Sequence, residues 1–224
     1  IIQTLDFFTP IIDVPFVYGQ IAAANSISDV YAMGGVPLTC MGIMAFPHGE
    51  LENEIVSEML SGSLDIISKS GAYLVGGHTV DNPAPLLGFS VTGEVEESEI
   101  WSNAGARVGD VIVLTKAIGT GTATAGVKRG ALTTSDIAEE IGSMIQLNDV
   151  ASKLNANSIK VNAATDITGF GLSGHMLNVA KASEVTLEIG CNSIPLFRNT
   201  LEHLKAGFLT KAHKTNFDYV KNSS

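Results

Sequence analysis

The sequence predicts an α/β (α+β) protein of two units, each a mixed sheet packed with helices. Over residues 1–95, short apolar runs of strand character alternate with longer runs of helical period, in the order β-α-β-α-β-β. An acidic, polar stretch, residues 94–107, then breaks the pattern. Beyond it a second series of helical runs follows, with short apolar segments between them. The expected division is residues 1–96 and residues 97–224.

Residues 1–8 read as a strand that carries Asp6. Residues 17–33 are alanine-rich with helical period and are stopped by Gly34, Gly35 and Pro37. Residues 39–46 form a strand. Residues 51–70 form an amphipathic helix with Ile55, Met59, Ile66 and Ile67 on one face and a stop at Gly71. A short buried strand over residues 72–75 and another over 86–95 flank a loop expected at 76–85. Such an order mixes parallel and antiparallel pairing. In the second unit the pattern predicts strands at 111–115 and 185–189 and helices near 120–129, 135–147, 148–157, 172–182 and 198–205. No internal repeat of 20–50 residues is visible.

Composition narrows the function classes. Apolar residues make up 45% of the 224 positions, enough for a substantial core. The formal charge of −10, from 23 acidic and 13 basic residues, argues against a nucleic-acid surface. It leaves room for phosphate ligands bridged to carboxylates by a divalent cation. No apolar run approaches the roughly 18–20 residues of a membrane span. With no secretory leader pattern either, the expected compartment is the cytoplasm. Cys40 and Cys191 are isolated, which argues against a disulfide framework or a zinc site, and both are expected to be small buried thiols. The chain opens on Ile1 inside a strand pattern, as the interior of a longer protein would.

Four segments carry candidate chemistry. Asp6 lies among Leu5, Phe7 and Phe8, where a carboxylate must be capped, paired or liganded, or else mark a strand-end turn. Asn25 and Asp29 are four apart on the first helix and share a face, either as a polar site or as a solvated patch. Gly76-Gly77-His78-Thr79 follows a buried strand; its backbone N–H groups and the Thr79 hydroxyl could meet an anion. Asp166 precedes Thr168-Gly169-Phe170-Gly171, where it could hold a hard cation or merely cap the next helix. His175 reads as a satisfied core histidine. The Gly119-x-Gly121 run fits neither a dinucleotide nor a Walker loop, and reads as a tight turn into a helix.

Taken together these segments resemble one family. Thr4-Leu-Asp-Phe-Phe-Thr-Pro-Ile-Ile-Asp, Ala24-Asn-Ser-Ile-Ser-Asp-Val-Tyr-Ala-Met-Gly-Gly, Gly76-Gly-His-Thr-Val-Asp-Asn-Pro, Leu114-Thr-Lys-Ala-Ile-Gly-Thr-Gly and Thr165-Asp-Ile-Thr-Gly-Phe-Gly-Leu-Ser-Gly-His are similar to selenophosphate synthetase (selenide, water dikinase). That enzyme belongs to the aminoimidazole ribonucleotide synthetase-like superfamily. The resemblance implies that superfamily's two-domain fold, with residues 1–96 binding ATP and metal and forming a homodimer. It implies Asp29 and Asp166 as Mg²⁺ ligands, Asp6 at the same phosphate–metal site, and Gly77, His78 and Thr79 contacting ATP from the partner subunit. The implied reaction takes ATP, selenide and water to selenophosphate, AMP and phosphate. The charge and catalytic need agree, since phosphoryl transfer rests on positioning and charge neutralisation.

The sequence also departs from that family. The reactive Cys or selenocysteine, the essential Lys and an Asp-Asp motif, which members carry ahead of the first strand, are not in these 224 residues, nor is the C-terminal Asp-Pro-x-Thr-Ser-Gly-Gly motif. The catalytic residues are therefore unknown from this sequence, and a fragment that binds Mg-ATP weakly and turns over little selenide is the expectation. A thiamine-monophosphate kinase, a purine-pathway synthetase and a non-catalytic maturation scaffold are the rival readings.

Overall fold

The computed structural model describes residues 1–157 and 159–221. Residues 158 and 222–224 of the expected second unit lie outside the described residues. The first half follows the expected order: β1 (Ile2–Phe8), α1 (Pro15–Ala32), β2 (Val36–Phe46), α2 (Asn53–Lys69), β3 (Tyr73–Asp81) and β4 (Leu86–Glu94). The four strands make one sheet in the order β1-β4-β2-β3. β4 is antiparallel to both its neighbours, and β3 runs parallel to β2. β4 thus inserts between the strands that flank α1, and α2 supplies the crossover to β3.

α1 lies between the sheet and α2, and its composition says why. Pro15 at the first turn has no N–H to leave unpaired. Ile21, Ala22, Ala23, Ala24, Ile27 and Val30 are all buried, as expected of a helix covered on two sides. Each large aliphatic chain buried there contributes about 1.5–3 kcal/mol. The small residues let the helices touch: a Cβ on Gly19 would stand 1.9 Å from the Met59 carbonyl oxygen, and one on Gly62 1.8 Å from that of Phe16. Phe89, Leu87 and Val91 of β4 close the core from below, and Cys40 joins it as the buried thiol expected, its pKa pushed up to about 11 by burial.

Two expectations for this half fail: the strand after Ala72 is not buried, with Tyr73 and Val75 73% and 59% exposed, and no loop begins at residue 76. Residues 76–81 are not loop but the greater part of β3, and only residues 82–85 turn. The glycine pair misleads because it serves a bulge. Val75 is skipped in the pairing of Leu74 with Cys40 and Gly76 with Met41, and Gly76 takes φ +152°, which a side chain would resist. β3 is an edge strand and almost wholly exposed, so its residues carry no burial pattern.

The second half comprises α3 (Thr120–Lys128), α4 (Ala138–Ile145), α5 (Val150–Ala156), α6 (Gly171–Ser183), α7 (Thr200–Lys205) and α8 (His213–Lys221). The first five match expected helices; α8 lies beyond the last helix that the sequence pattern predicts. The strands expected at 111–115 and 185–189 do not form; among the described residues the only pairing in this half is the isolated parallel bridge Ile118–Leu196. Val111 and Val113 are 85% and 75% exposed, because strand composition without a ladder partner builds no strand. Gly119 does make the tight entry to α3, at φ +131°. Cys191, expected buried, is exposed. No described helix is long and apolar enough to cross a membrane.

Candidate functional site

Asp6 sits mid-strand in β1, opposite Phe89, on the face covered by α1. Strand alternation puts Thr4 on that same face. From α1, Asn25 Nδ2 donates to Asp6 Oδ2 at 3.1 Å, and one turn later Asp29 accepts a short bond from the Thr4 hydroxyl. Asn25 and Asp29 are therefore not a solvated patch; both aim at β1. Ser26, fully buried between them, braces the strand pair. Its Oγ lies 3.1 Å from the Asp6 carbonyl oxygen and accepts the Phe89 N–H at 3.2 Å.

Asp166 arrives from the second half. It does not cap α6, whose N-cap position is Phe170 with no side-chain cap bond, and neither Thr168 nor Ser173 fills that role. The loop before α6 is instead fixed by His175, which is buried. Its Nε2 accepts the Thr168 N–H at 3.1 Å, its Nδ1 lies 3.4 Å from Thr165 Oγ1, and Phe170 packs edge-on against the ring. The expected satisfied core histidine is present, and it holds the loop that carries Asp166.

The three carboxylates feel one another. Asp6 is pushed up to about 6, first by burial, then by the charge and hydrogen bond of Asp29, then by the charge of Asp166; the Asn25 amide partly offsets this. Asp29 is raised by burial and by Asp166, against the Thr4 hydroxyl and the Asp6 hydrogen bond, which lower it. No lysine or arginine enters either balance. Asp29 and Asp166 open on one cavity of about 410 Å³, whose wall includes Thr4, Met33, Trp101 and Asn103.

Such a donor set suits a hard cation that brings its own further ligands. Among the described residues no three of His, Cys, Asp and Glu group closely enough to form a metal site alone. Mg²⁺ does not ask for one: it is held by one or two carboxylates, with water and phosphate oxygens completing the octahedron. Asp29 and Asp166 fit that pattern, with Asp6 beside them and held by Asn25.

Gly77, His78 and Thr79 are not part of this cluster within the chain. They lie on β3, at the opposite edge of the sheet from β1. Gly77 faces Gly42, where a Cβ would meet the Gly42 carbonyl oxygen at 2.2 Å, so the strands approach closely there. Asp81 accepts the His48 N–H at 2.8 Å and anchors the neighbouring loop. Lys116 is likewise elsewhere: its ammonium donates to the Ser143 and Gln146 carbonyls at the end of α4, and burial lowers its pKa to about 8. Sequence reasoning missed Thr4, Ser26, Trp101 and Asn103. Thr4 alone left a signal, two residues from Asp6 on the same strand face.

Comparison with known proteins places the chain. The AIR synthase related protein N-terminal domain matches residues 1–95, and the C-terminal domain of the same description matches residues 107–211. A protein named selenide, water dikinase from Nitrosomonas eutropha is 51% identical over 221 residues, 98% of this chain and 63% of that protein. One of the same name from Bdellovibrio bacteriovorus is 50% identical over 224 residues, 100% of this chain and 64% of its own length. The chain thus spans just under two thirds of the length of these curated relatives. Among solved structures, the hydrogenase maturation protein HypE in complex with ATP is similar with a TM-score of 0.79 at 18% identity, over 93% of this chain and 64% of that one. Thiamine monophosphate kinase from Aquifex aeolicus gives 0.75 at 21% identity, over 97% and 73%. Likeness at that identity speaks for the fold. With both of its domains matched in order, the chain belongs to the AIR synthase related protein family.

Proposed function

We propose that the whole protein is a selenide, water dikinase, which makes selenophosphate from selenide, ATP and water and releases AMP and phosphate. The observation that carries the reading is the meeting of Asp29 and Asp166 on one cleft, with Asp6 close enough to feel the charge of both. The names of the relatives at 50–51% identity select this chemistry among the family's activities. In this reading Asp29 and Asp166 hold Mg²⁺ against the ATP phosphates, and Asp6 sits at the same phosphate–metal site. Bound there, the metal neutralises phosphate charge. The chain's own part is to present two fixed carboxylates, keep Asp29 oriented through Thr4, and keep Asp6 oriented through Asn25.

The reading takes residues 1–96 as the ATP- and metal-binding, dimerising unit and residues 97–224 as the second α/β unit. A homodimer is supported by the sheet face turned away from α1, where Leu5, Phe7, Met41, Tyr73 and Val75 are 49–73% exposed. An apolar face of that kind is an expected contact surface. Gly77, His78 and Thr79 stand at the edge of the same sheet, in keeping with a role toward the ATP of a second copy. The unpaired thiols accord with a cytoplasmic protein.

The test is radiolabelled ATP turnover by the full-length protein with and without selenide. Selenide-dependent AMP and orthophosphate are expected. Accumulation of ADP, or phosphorylation of thiamine monophosphate, would show a different member of the family.

A further inference from the structure

Asp29 and Asp166 belong to distant parts of the chain, so something must set the gap between them. The residues between the two family matches supply a short backbone path. Trp101 donates its backbone N–H to the carbonyl of Met33 at 3.1 Å, one turn beyond Asp29 at the end of α1. The next residue, Ser102, accepts the N–H of Ala164 at 2.9 Å, two residues before Asp166. From one carboxylate to the other the path thus runs through two backbone hydrogen bonds and a single peptide step.

The segment is fastened at both ends. At its head the indole of Trp101 packs on Gly34, which has φ +77°; a Cβ there would come within 3.1 Å of the ring. At its tail Ser183, the last residue of α6, clasps three backbone groups. Its Oγ accepts the N–H of Gly105 and of Ala106, each at 3.1 Å, and donates to the Asn103 carbonyl at 3.0 Å. α6 begins five residues after Asp166, so the clasp ties the far end of that helix to the same segment. A linker that merely joined two units would need none of these bonds.

We propose that residues 101–106 act as a splint that fixes the spacing of Asp29 and Asp166, with Trp101 and Ser183 as positioning residues for the cation site. The inference rests on the metal reading above and adds to it the element that assembles the site.

The test uses the full-length protein with Mn²⁺ and a non-hydrolysable ATP analogue, reading bound Mn²⁺ by electron paramagnetic resonance. Trp101→Ala is expected to weaken Mn²⁺ binding about tenfold, and Trp101→Phe to keep it within about twofold of the parent. In an Asp166→Asn background, Trp101→Ala should add less than about twofold, because a residue acting through Asp166 has nothing left to act on. Ser183→Ala should follow the same pattern and carries the cycle should Trp101→Ala fail to fold. Parent-like affinity in Trp101→Ala, or a loss that simply adds to that of Asp166→Asn, overturns the splint. Amide hydrogen exchange separates the two readings. If the parent binds no Mn²⁺, the metal reading falls; the splint then stands if the Trp101 and Ala164 amides are protected together and released together in Ser183→Ala. Free exchange of those amides in the parent overturns it.

Discussion

Asp6 and Asp29 stand on a strand and a helix of a packed layer, whereas Asp166 stands on a loop. On the first side the fold itself does the holding. α1 is buried on two sides, Ser26 stitches it to β1 and β4, and Thr4 and Asn25 fix the two carboxylates by direct bonds. On the second side the loop depends on one buried histidine and on the backbone link through Ser102. The contrast separates two tasks. The first side keeps a costly concentration of negative charge in place, and the second brings the last ligand to it.

Removing a carboxylate probes the shared centre and has the largest expected effect. Asp29→Asn should weaken binding of Mg²⁺ with an ATP analogue by at least about 100-fold, measured by titration calorimetry, since ligand charge count sets the affinity of such sites. The melting temperature of the metal-free protein should hold or rise, because the change relieves repulsion with Asp6 and Asp166. Asp166→Asn should do the same to binding. Parent-like affinity in either variant would remove that residue from the site, and loss of binding with collapse of the fold would make its role structural.

Loosening the loop alone tests whether the second side is as weakly held as its bonds imply. His175→Ala deletes the acceptor of the Thr168 N–H and opens a cavity against Phe170. It should cost about 1–3 kcal/mol of stability in urea unfolding. Binding of Mg²⁺ with the nucleotide analogue should weaken about tenfold, less than for a lost ligand, because Asp166 remains present but poorly placed. Equal losses in His175→Ala and Asp166→Asn would mean that the loop has no residual order without the histidine.

How much of this was legible in the sequence follows the same divide. The first half reads well because α1 and α2 carry helical period and β1, β2 and β4 carry strand period over a common core. Beyond residue 75 β3 reads as a loop, since an exposed edge strand has no buried face to betray it and Gly76-Gly77 looks like a break. Residues 111–115 and 185–189 err in the other direction: apolar and β-branched, they lack a ladder partner among the described residues. In the site, the carboxylates show themselves as charges out of place in apolar runs. Ser26, Trp101 and the work done by His175 do not, because each acts on a backbone group more than five residues away that only the folded chain brings near.

The smallest expected effect is on pH, and it tests the repulsion on the first side. An Asp6 carboxyl held at about 6, against an ordinary value of 3.8, keeps a proton in the folded protein that the unfolded chain has already released. Its contribution to stability is therefore complete below about pH 4 and is lost as pH rises through about 6. Asp29 shifts in the same direction. The group remains partly open to solvent, so the effect is discounted to no more than about 1 kcal/mol. Melting curves in EDTA across pH 4–8 should show Asp6→Asn gaining stability relative to the parent as pH rises through that window, with the difference level above it. With Mg²⁺ and the nucleotide analogue the sign reverses, because the cation binds the deprotonated carboxylates and favours the parent most at high pH. A parent that gains on Asp6→Asn with rising pH in EDTA would show that the carboxyl is stabilised as an anion, and that the cluster is not strained by its own charge.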